Sequence, residues 1–255
     1  KKESIQRLLN AYDYQAALLL AKEIKDFISP TAMRMLEAAV CRIQLDQQGY
    51  DKALQGMELS WIPVKMTKQR QIFEYVLNLR IKMLQGNYAD FIRGLTPVVV
   101  DLFVMCLKNE LRIEVDDFCE RSGQGVWMIS IARMEADEQG RKILTALRHQ
   151  SQTSEIREGP LGSIHILWLF KELVGTSDRV KQMEEIRTVE QRVRNIAAHE
   201  IVSVTDTWLY KQTGFHAKDI VKLLEQLVLR TGSRVQKKDW DAYDSMNQDI
   251  IRALV

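Results

Sequence analysis

The residues of this chain best suited to chemistry are Arg194, Asn195 and His199, which lie within one predicted helix near the C-terminal end. An arginine guanidinium stays charged and can form paired hydrogen bonds to a phosphate. A histidine can accept or donate a proton near neutral pH. Together they suit cleavage of a phosphodiester without a metal ion. Because an Arg and a His at this spacing also occur by chance, the surrounding sequence has to support such a function.

The helical register of this motif predicts that two copies of it form one site. Asn195 and His199 are four residues apart and share one face of a helix. Arg194 and His199 are five residues apart, about 140° around the helix, so one regular helix does not aim both at one point. Two copies related by a two-fold axis would instead build a composite pocket. Small side chains at Ala197 and Ala198 would let a second backbone approach, which favours a motif at an interface.

Two segments carry a resemblance to a known family. The run from Arg192 to Ile201 resembles the signature of HEPN-domain ribonucleases, in which an Arg and a following polar residue precede a His. The ending from Tyr243 to Ile250, Tyr-x-x-Met-Asn-x-x-Ile, is similar to the C-terminus of the ancillary ribonuclease of type III-A CRISPR systems. In that family a CARF domain that senses cyclic oligoadenylate comes first, followed by a helical connector and the HEPN domain. The resemblance covers the last two thirds of the chain well and the first third loosely.

The resemblance implies a metal-independent endoribonuclease that cleaves single-stranded RNA in antiviral defence. It implies a homodimer with a composite active site, activated by cyclic oligoadenylate bound to a CARF domain that is absent from these residues. In this site His199 would transfer a proton, Arg194 would stabilise the charged transition state, and Asn195 would orient one of them. Arg192 would bind substrate, although its spacing to His199 also leaves it open as the catalytic arginine.

Composition sets limits on the partners. The net charge of +2 over 255 residues provides no global attraction to nucleic acid, so any RNA-binding surface must be local. The three cysteines, Cys41, Cys106 and Cys119, form no Cys-x-x-Cys pair, which indicates neither a disulfide framework nor a zinc site and fits a reducing cytoplasm. The four histidines show no metal-ligand spacing and no glycine-rich nucleotide loop occurs. We therefore expect no metal and no cofactor.

We expect no association with a membrane. The longest apolar stretch, Val98 to Leu107, is interrupted by Asp101 and is too short to cross a bilayer. No apolar signal segment follows Lys1. The absence of an initiator Met suggests a cytoplasmic protein cut from a longer one.

The periodicity predicts an all-α protein: a short helical-hairpin array at residues 1–93, followed by a HEPN-like helical bundle at residues 94–255. The array is suggested by a weak repeat around Tyr14, Tyr50 and Tyr88, whose spacing approaches that of helix–turn–helix repeats. The motif helix is predicted over residues 178–204 and an exposed polar loop over residues 150–160. Only residues 111–115 and 202–204 show patterns typical of strands.

Two other functions are compatible with these residues. A helical scaffold could dimerise through the motif helix without any catalysis, and an RNA cleavage assay in chelator would distinguish it. A HEPN nuclease of the toxin type could act outside CRISPR, and sequence preceding Lys1 would distinguish that case.

Overall fold

The structure, a computed structural model, describes residues 1–153, 155–199 and 202–254, except for the side chains of residues 194–199. Helices dominate this part of the chain, so the all-α prediction is confirmed. The helices are α1 Lys2–Asn10, α2 Tyr14–Glu23, α3 Pro30–Ile43, α4 Gln47–Ala53, α5 Thr67–Leu84, α6 Tyr88–Arg93, α7 Leu95–Cys106, α8 Ile131–Ala136, α9 Glu138–Gln150, α10 Ser163–Val174, α11 Asp178–His199, α12 Asp206–Thr213, α13 Ala217–Arg230 and α14 Ala242–Leu254. Short 3-10 turns span Lys25–Phe27, Val115–Asp117 and Lys237–Asp241, and a π-helical turn spans Leu107–Leu111. Among the described residues, no helix is both long and apolar enough to span a bilayer.

A two-stranded antiparallel hairpin supplies the β-structure of the described chain. Strands β1 Cys119–Arg121 and β2 Trp127–Ile129 pair with Cys119 opposite Ile129. Neither of the two segments whose patterns are typical of strands, 111–115 and 202–204, forms a strand. A strand needs a partner with a suitable turn, and the polar segment that includes Gly125, with its φ of +77°, provides that turn between β1 and β2. Of the predicted polar loop at 150–160, Gln150 is the last residue of α9 and Pro160 forms an isolated bridge with Met128, and the described residues between them lack helix and strand.

The chain folds into two compact units, of which the first combines residues 1–86 with residues 234–255. Its helical hairpins share one kind of turn. A three-residue linker joins α1 to α2 and α3 to α4, and its middle residue, Tyr12 or Leu45, has a left-handed φ of 58° or 61°. The next residue, Asp13 or Asp46, accepts a hydrogen bond from the first turn of the following helix. The same kind of turn recurs at 85–87, where Gly86 has a φ of 70° and the Asn87 side chain accepts a hydrogen bond from the Asp90 amide. The weak sequence repeat therefore reflects a repeated turn.

The first unit is held together by a buried ion pair and by the C-terminal helix. The guanidinium of Arg42 forms hydrogen bonds of 2.7 and 2.9 Å to both carboxylate oxygens of Glu74, and both residues are buried. The same guanidinium lies 4.2 Å from the ring centre of Tyr243 in α14. The amide of Asn247 donates a 2.8 Å hydrogen bond to the carbonyl of Leu9.

The C-terminal Tyr-x-x-Met-Asn-x-x-Ile ending is therefore a packing motif. Its four named positions, Tyr243, Met246, Asn247 and Ile250, are all buried. Their helix, α14, packs against α1 and α3, and all three helices belong to the first unit. The predicted boundary between a connector domain at 1–93 and a HEPN domain at 94–255 stays a prediction. The compact units are divided differently, because α14 packs with the first helices.

The second unit comprises residues 87–233, and helix α11 lies at its centre. This helix packs against α6, α7, α10, α12 and α13. Its packed face is an apolar stripe with helical spacing, formed by Val180, Met183, Ile186, Val189 and Val193. Arg230 at the end of α13 forms hydrogen bonds of 2.6 and 3.1 Å with Glu110, beside the start of α11. The motif thus continues the helix that carries this packed stripe.

Candidate active site

Helix α11 carries every residue of the predicted site. The described helix ends at His199, whereas the sequence pattern predicted a helix as far as Val204. That prediction was wrong for residues 202–204, which are not helical. The reason is a new helix start: the Thr205 side chain accepts a hydrogen bond of 3.1 Å from the Trp208 amide and begins α12. The described part of α11 therefore includes the backbone of His199, and α12 begins at Asp206.

A buried carboxylate anchors α11 one turn before Arg194. Glu190 accepts hydrogen bonds from the Ser163 hydroxyl at 3.1 Å and from the Arg187 guanidinium at 3.2 Å. Only about 2% of Glu190 is exposed, so the charge is stabilised by these partners rather than by water. The contact to Ser163 joins α11 to the start of α10. It fixes the helix position from which the motif extends.

Arg192 is the one predicted site residue whose side chain the structure describes. It is exposed, and its Nη1 donates a hydrogen bond of 3.2 Å to the carbonyl of Gln212. Gln212 belongs to the last turn of α12, where backbone carbonyls lack helical partners. Arg192 thus caps α12 and holds it beside the second half of α11.

The side chains of Arg194, Asn195 and His199 lie outside the described residues, as do those of Ala197 and Ala198. Their backbone forms the last turns of α11. Their roles stay predictions.

His165 has a structural role at the start of α10. Its Nδ1 accepts a hydrogen bond of 3.0 Å from the Gly162 amide at the start of α10. Burial lowers the pKa of this imidazole. Among the described residues, no group of three or more His, Cys, Asp and Glu side chains is arranged to hold a metal ion.

A histidine–carboxylate pair beside the motif helix was missed by sequence reasoning. The Nδ1 of His216 lies 2.7 Å from the Oδ2 of Asp206, and the Oδ1 of Asp206 accepts a 2.8 Å hydrogen bond from the Ala217 amide. Partial desolvation opposes the charge of Asp206, yet the Ala217 amide and His216 lower the pKa of this carboxyl. The ring of Tyr210 stacks on the imidazole. The sequence signal that could have indicated this pair was an Asp at the start of one helix, Asp206, and a His directly before the next helix, His216.

Comparison with known families identifies the family to which this chain belongs. A model described as the Cas_Csm6 HEPN domain matches residues 61–251, three quarters of the chain. The chain belongs to the Csm6 HEPN family. A second model, the Csm6 6H domain of CRISPR-associated proteins, matches residues 1–43. The predicted membership of a CRISPR-associated HEPN family is confirmed.

Individual relatives agree with this family. The chain is 24% identical over 254 residues to the CRISPR system endoribonuclease Csm6 of Mycobacterium tuberculosis, covering 100% of this chain and 55% of that protein. The fold matches Enterococcus italicus Csm6 bound to cyclic hexa-2'-fluoro-hexa-dAMP with a TM-score of 0.73 at 16% identity. That match covers 99% of this chain and 56% of the other. The chain thus spans little more than half the length of these Csm6 relatives.

Proposed function

We propose that this chain is an endoribonuclease that cleaves single-stranded RNA in CRISPR antiviral defence. The observation that carries the proposal is the Arg194–His199 motif in the last turns of α11, within a chain of the Csm6 HEPN family. The buried stripe of α11 and the anchored Glu190 provide a rigid base for such a motif. Family membership favours this function over that of a toxin-like HEPN nuclease outside CRISPR.

The proposed reaction uses the RNA as its own nucleophile. The ribose 2′-oxygen forms a bond to the adjacent phosphorus while the bond to the 5′-oxygen breaks. The 2′-OH proton leaves and the 5′-oxygen gains a proton, so the products are a 2′,3′-cyclic phosphate and a 5′-hydroxyl. His199 assists this proton transfer. Arg194 stabilises the charge that develops on the phosphorane-like transition state.

The two remaining motif residues support this chemistry. Asn195 orients Arg194 or His199, with which it shares the last turns of α11. Arg192 contacts the RNA backbone on the flank of the site. Its hydrogen bond to Gln212 occupies Nη1 and holds the guanidinium at the surface. A cation at this position suits substrate binding.

The proposed site is composite. Each subunit of a homodimer contributes one Arg194 and one His199, which resolves the 140° offset that separates positions five apart on one helix. In the longer protein, cyclic oligoadenylate bound to a CARF domain would activate this site. The cyclic nucleotide in the Enterococcus italicus Csm6 structure supports a ligand of that class.

The chemistry is tested by changing the substrate and removing metals. We expect single-stranded RNA to be cut in excess EDTA, because an Arg and a His supply the charge and the proton transfer. An oligonucleotide of the same sequence with 2′-deoxyribose throughout should remain intact, since it lacks the nucleophile. Gel electrophoresis and phosphatase sensitivity of the product ends measure both results. Cutting of the deoxy strand, or activity only with added divalent ions, would show the mechanism to be wrong.

The composite site is tested by a change at the expected interface. Ala198→Glu should lower the dimer mass measured by light scattering and lower cleavage in parallel, because a large charged side chain blocks close helix contact. Ala136→Glu, at the end of α8 outside the motif helix, serves as the control. A protein that is monomeric at every concentration yet fully active would rule out the composite site. A dimer without any cleavage would favour the non-enzymatic scaffold.

A further inference from the structure

Tyr210 and His216 form a stacked aromatic pair on the surface of the second unit. Their ring centres are 4.5 Å apart and the ring planes differ by 18°. The pair is not a core contact, because Tyr210 is 49% exposed and the His216 side chain is 42% exposed. Each ring therefore retains surface that a ligand could contact.

The orientation of this pair is set before any ligand arrives. The 2.7 Å contact between Asp206 and His216 Nδ1 restricts rotation of the imidazole. Asp206 is itself held by the backbone amide of Ala217 at the start of α13. A preorganised ring loses little conformational entropy when a planar group stacks on it. The carboxylate thus fixes His216, and His216 supports the Tyr210 ring.

The pair involves the helix that Arg192 of α11 contacts. Asp206 begins α12 seven residues after His199, and Arg192 contacts Gln212 in the last turn of the same helix. The Cα atoms of residues two apart on a helix are separated by about 5 Å, so the Cα of Tyr210 lies within a nucleotide's length of the Cα of Gln212.

Two lysines lie near the aromatic pair. Lys218 acts electrostatically on Asp206, and Lys211 is exposed next to Tyr210 in α12. Exposed aromatic rings among cations are how proteins bind single-stranded nucleic acid with little sequence preference, since every base can stack. The charge of this surface matches an RNA backbone.

We propose that Tyr210 stacks on a nucleobase flanking the scissile phosphodiester, with His216 and Asp206 as the support that fixes the ring. The neighbouring phosphates lie against Arg192 and Lys218. This subsite rests on the proposed ribonuclease function. It assigns the flanking nucleotide to a particular ring.

The subsite is tested by binding and by turnover. The ligand is a fluorescent single-stranded 2′-O-methyl RNA, which has no free 2′-hydroxyl, alone and with one abasic position moved along it. We expect Tyr210→Leu to raise the Kd by about tenfold, the usual worth of one base–aromatic stack, while Tyr210→Phe stays near wild type. At saturating RNA the kcat of Tyr210→Leu should change little. Phe27→Leu, an exposed aromatic of the first unit, is the matched control and should bind normally.

The abasic series identifies the base. One abasic position should weaken binding by the wild-type protein but not by Tyr210→Leu, because both changes remove the same stack. Equal Kd values and equal abasic profiles for the two proteins, with normal cleavage, would overturn the subsite alone. A Tyr210→Leu protein with a lower dimer mass would assign the ring to a contact between two copies and overturn it as well. A wild-type protein that neither binds nor cuts RNA would overturn the proposed function and the subsite together.

Discussion

His199→Ala should lower RNA cleavage by about 10²-fold or more, because it removes the group that transfers protons in the reaction. Arg194→Ala should have an effect of the same order, since it removes the charge that stabilises the transition state. Single-turnover rates at saturating RNA measure both. The unfolding midpoints should stay near wild type, because we expect neither of these charged or polar side chains to supply core volume.

Arg192→Ala is the internal control for this experiment. Its guanidinium is exposed and caps α12, so its loss should weaken RNA binding and leave the rate at saturating RNA largely intact. If Arg192→Ala abolishes turnover and Arg194→Ala does not, the catalytic arginine is Arg192. Full activity of His199→Ala would contradict the proposed mechanism itself.

The second large effect concerns stability. Glu74→Ala should lower the free energy of unfolding of the first unit by about 3–5 kcal/mol, because it leaves the buried guanidinium of Arg42 without its partner. Burial alone disfavours this charge, and Glu74 is the main reason that the pKa of Arg42 is raised rather than lowered. Denaturant unfolding followed by far-UV circular dichroism measures the change.

A matched pair whose carboxylate is exposed separates burial of the carboxylate from charge pairing. Arg70 contacts Asp51 at 3.1 Å, and the Asp51 side chain is largely exposed. Asp51→Ala should therefore cost no more than about 1 kcal/mol. The double variant Arg42→Met with Glu74→Leu should regain much of the lost stability, since apolar residues of similar volume need no counter-charge. If Glu74→Ala and Asp51→Ala unfold alike, the buried pair does not hold the unit together.

The local features of this protein were predictable from its sequence. Helical periodicity predicted the all-α class, because it depends on residues within a few turns. The motif at Arg194–His199 and the ending at Tyr243–Ile250 indicated the HEPN family. The weak tyrosine repeat marked helix pairs whose shared turn, with Asp13 or Asp46 as a cap, is also a local interaction.

Features that depend on distant partners were decided only by the tertiary structure. The hairpin of β1 and β2 was missed, because a strand is defined by pairing and neither segment is long enough to show a period. The end of α11 was placed too late, since the Thr205 cap outweighs the apolar pattern that continues to Val204. The pair of Asp206 and His216 joins two helix starts and follows no short motif.

The sequence by itself determined the helices, the family and the residues that carry the proposed chemistry. The tertiary structure decided that α14 packs with α1 and α3, and that Glu74 is the partner of Arg42. It also decided that Glu190 is buried although its neighbours in the sequence look like a solvated charged face. The physical reason is the range of the interactions. Helix formation and capping act between residues within one or two turns, whereas burial and ion pairing depend on which helices meet.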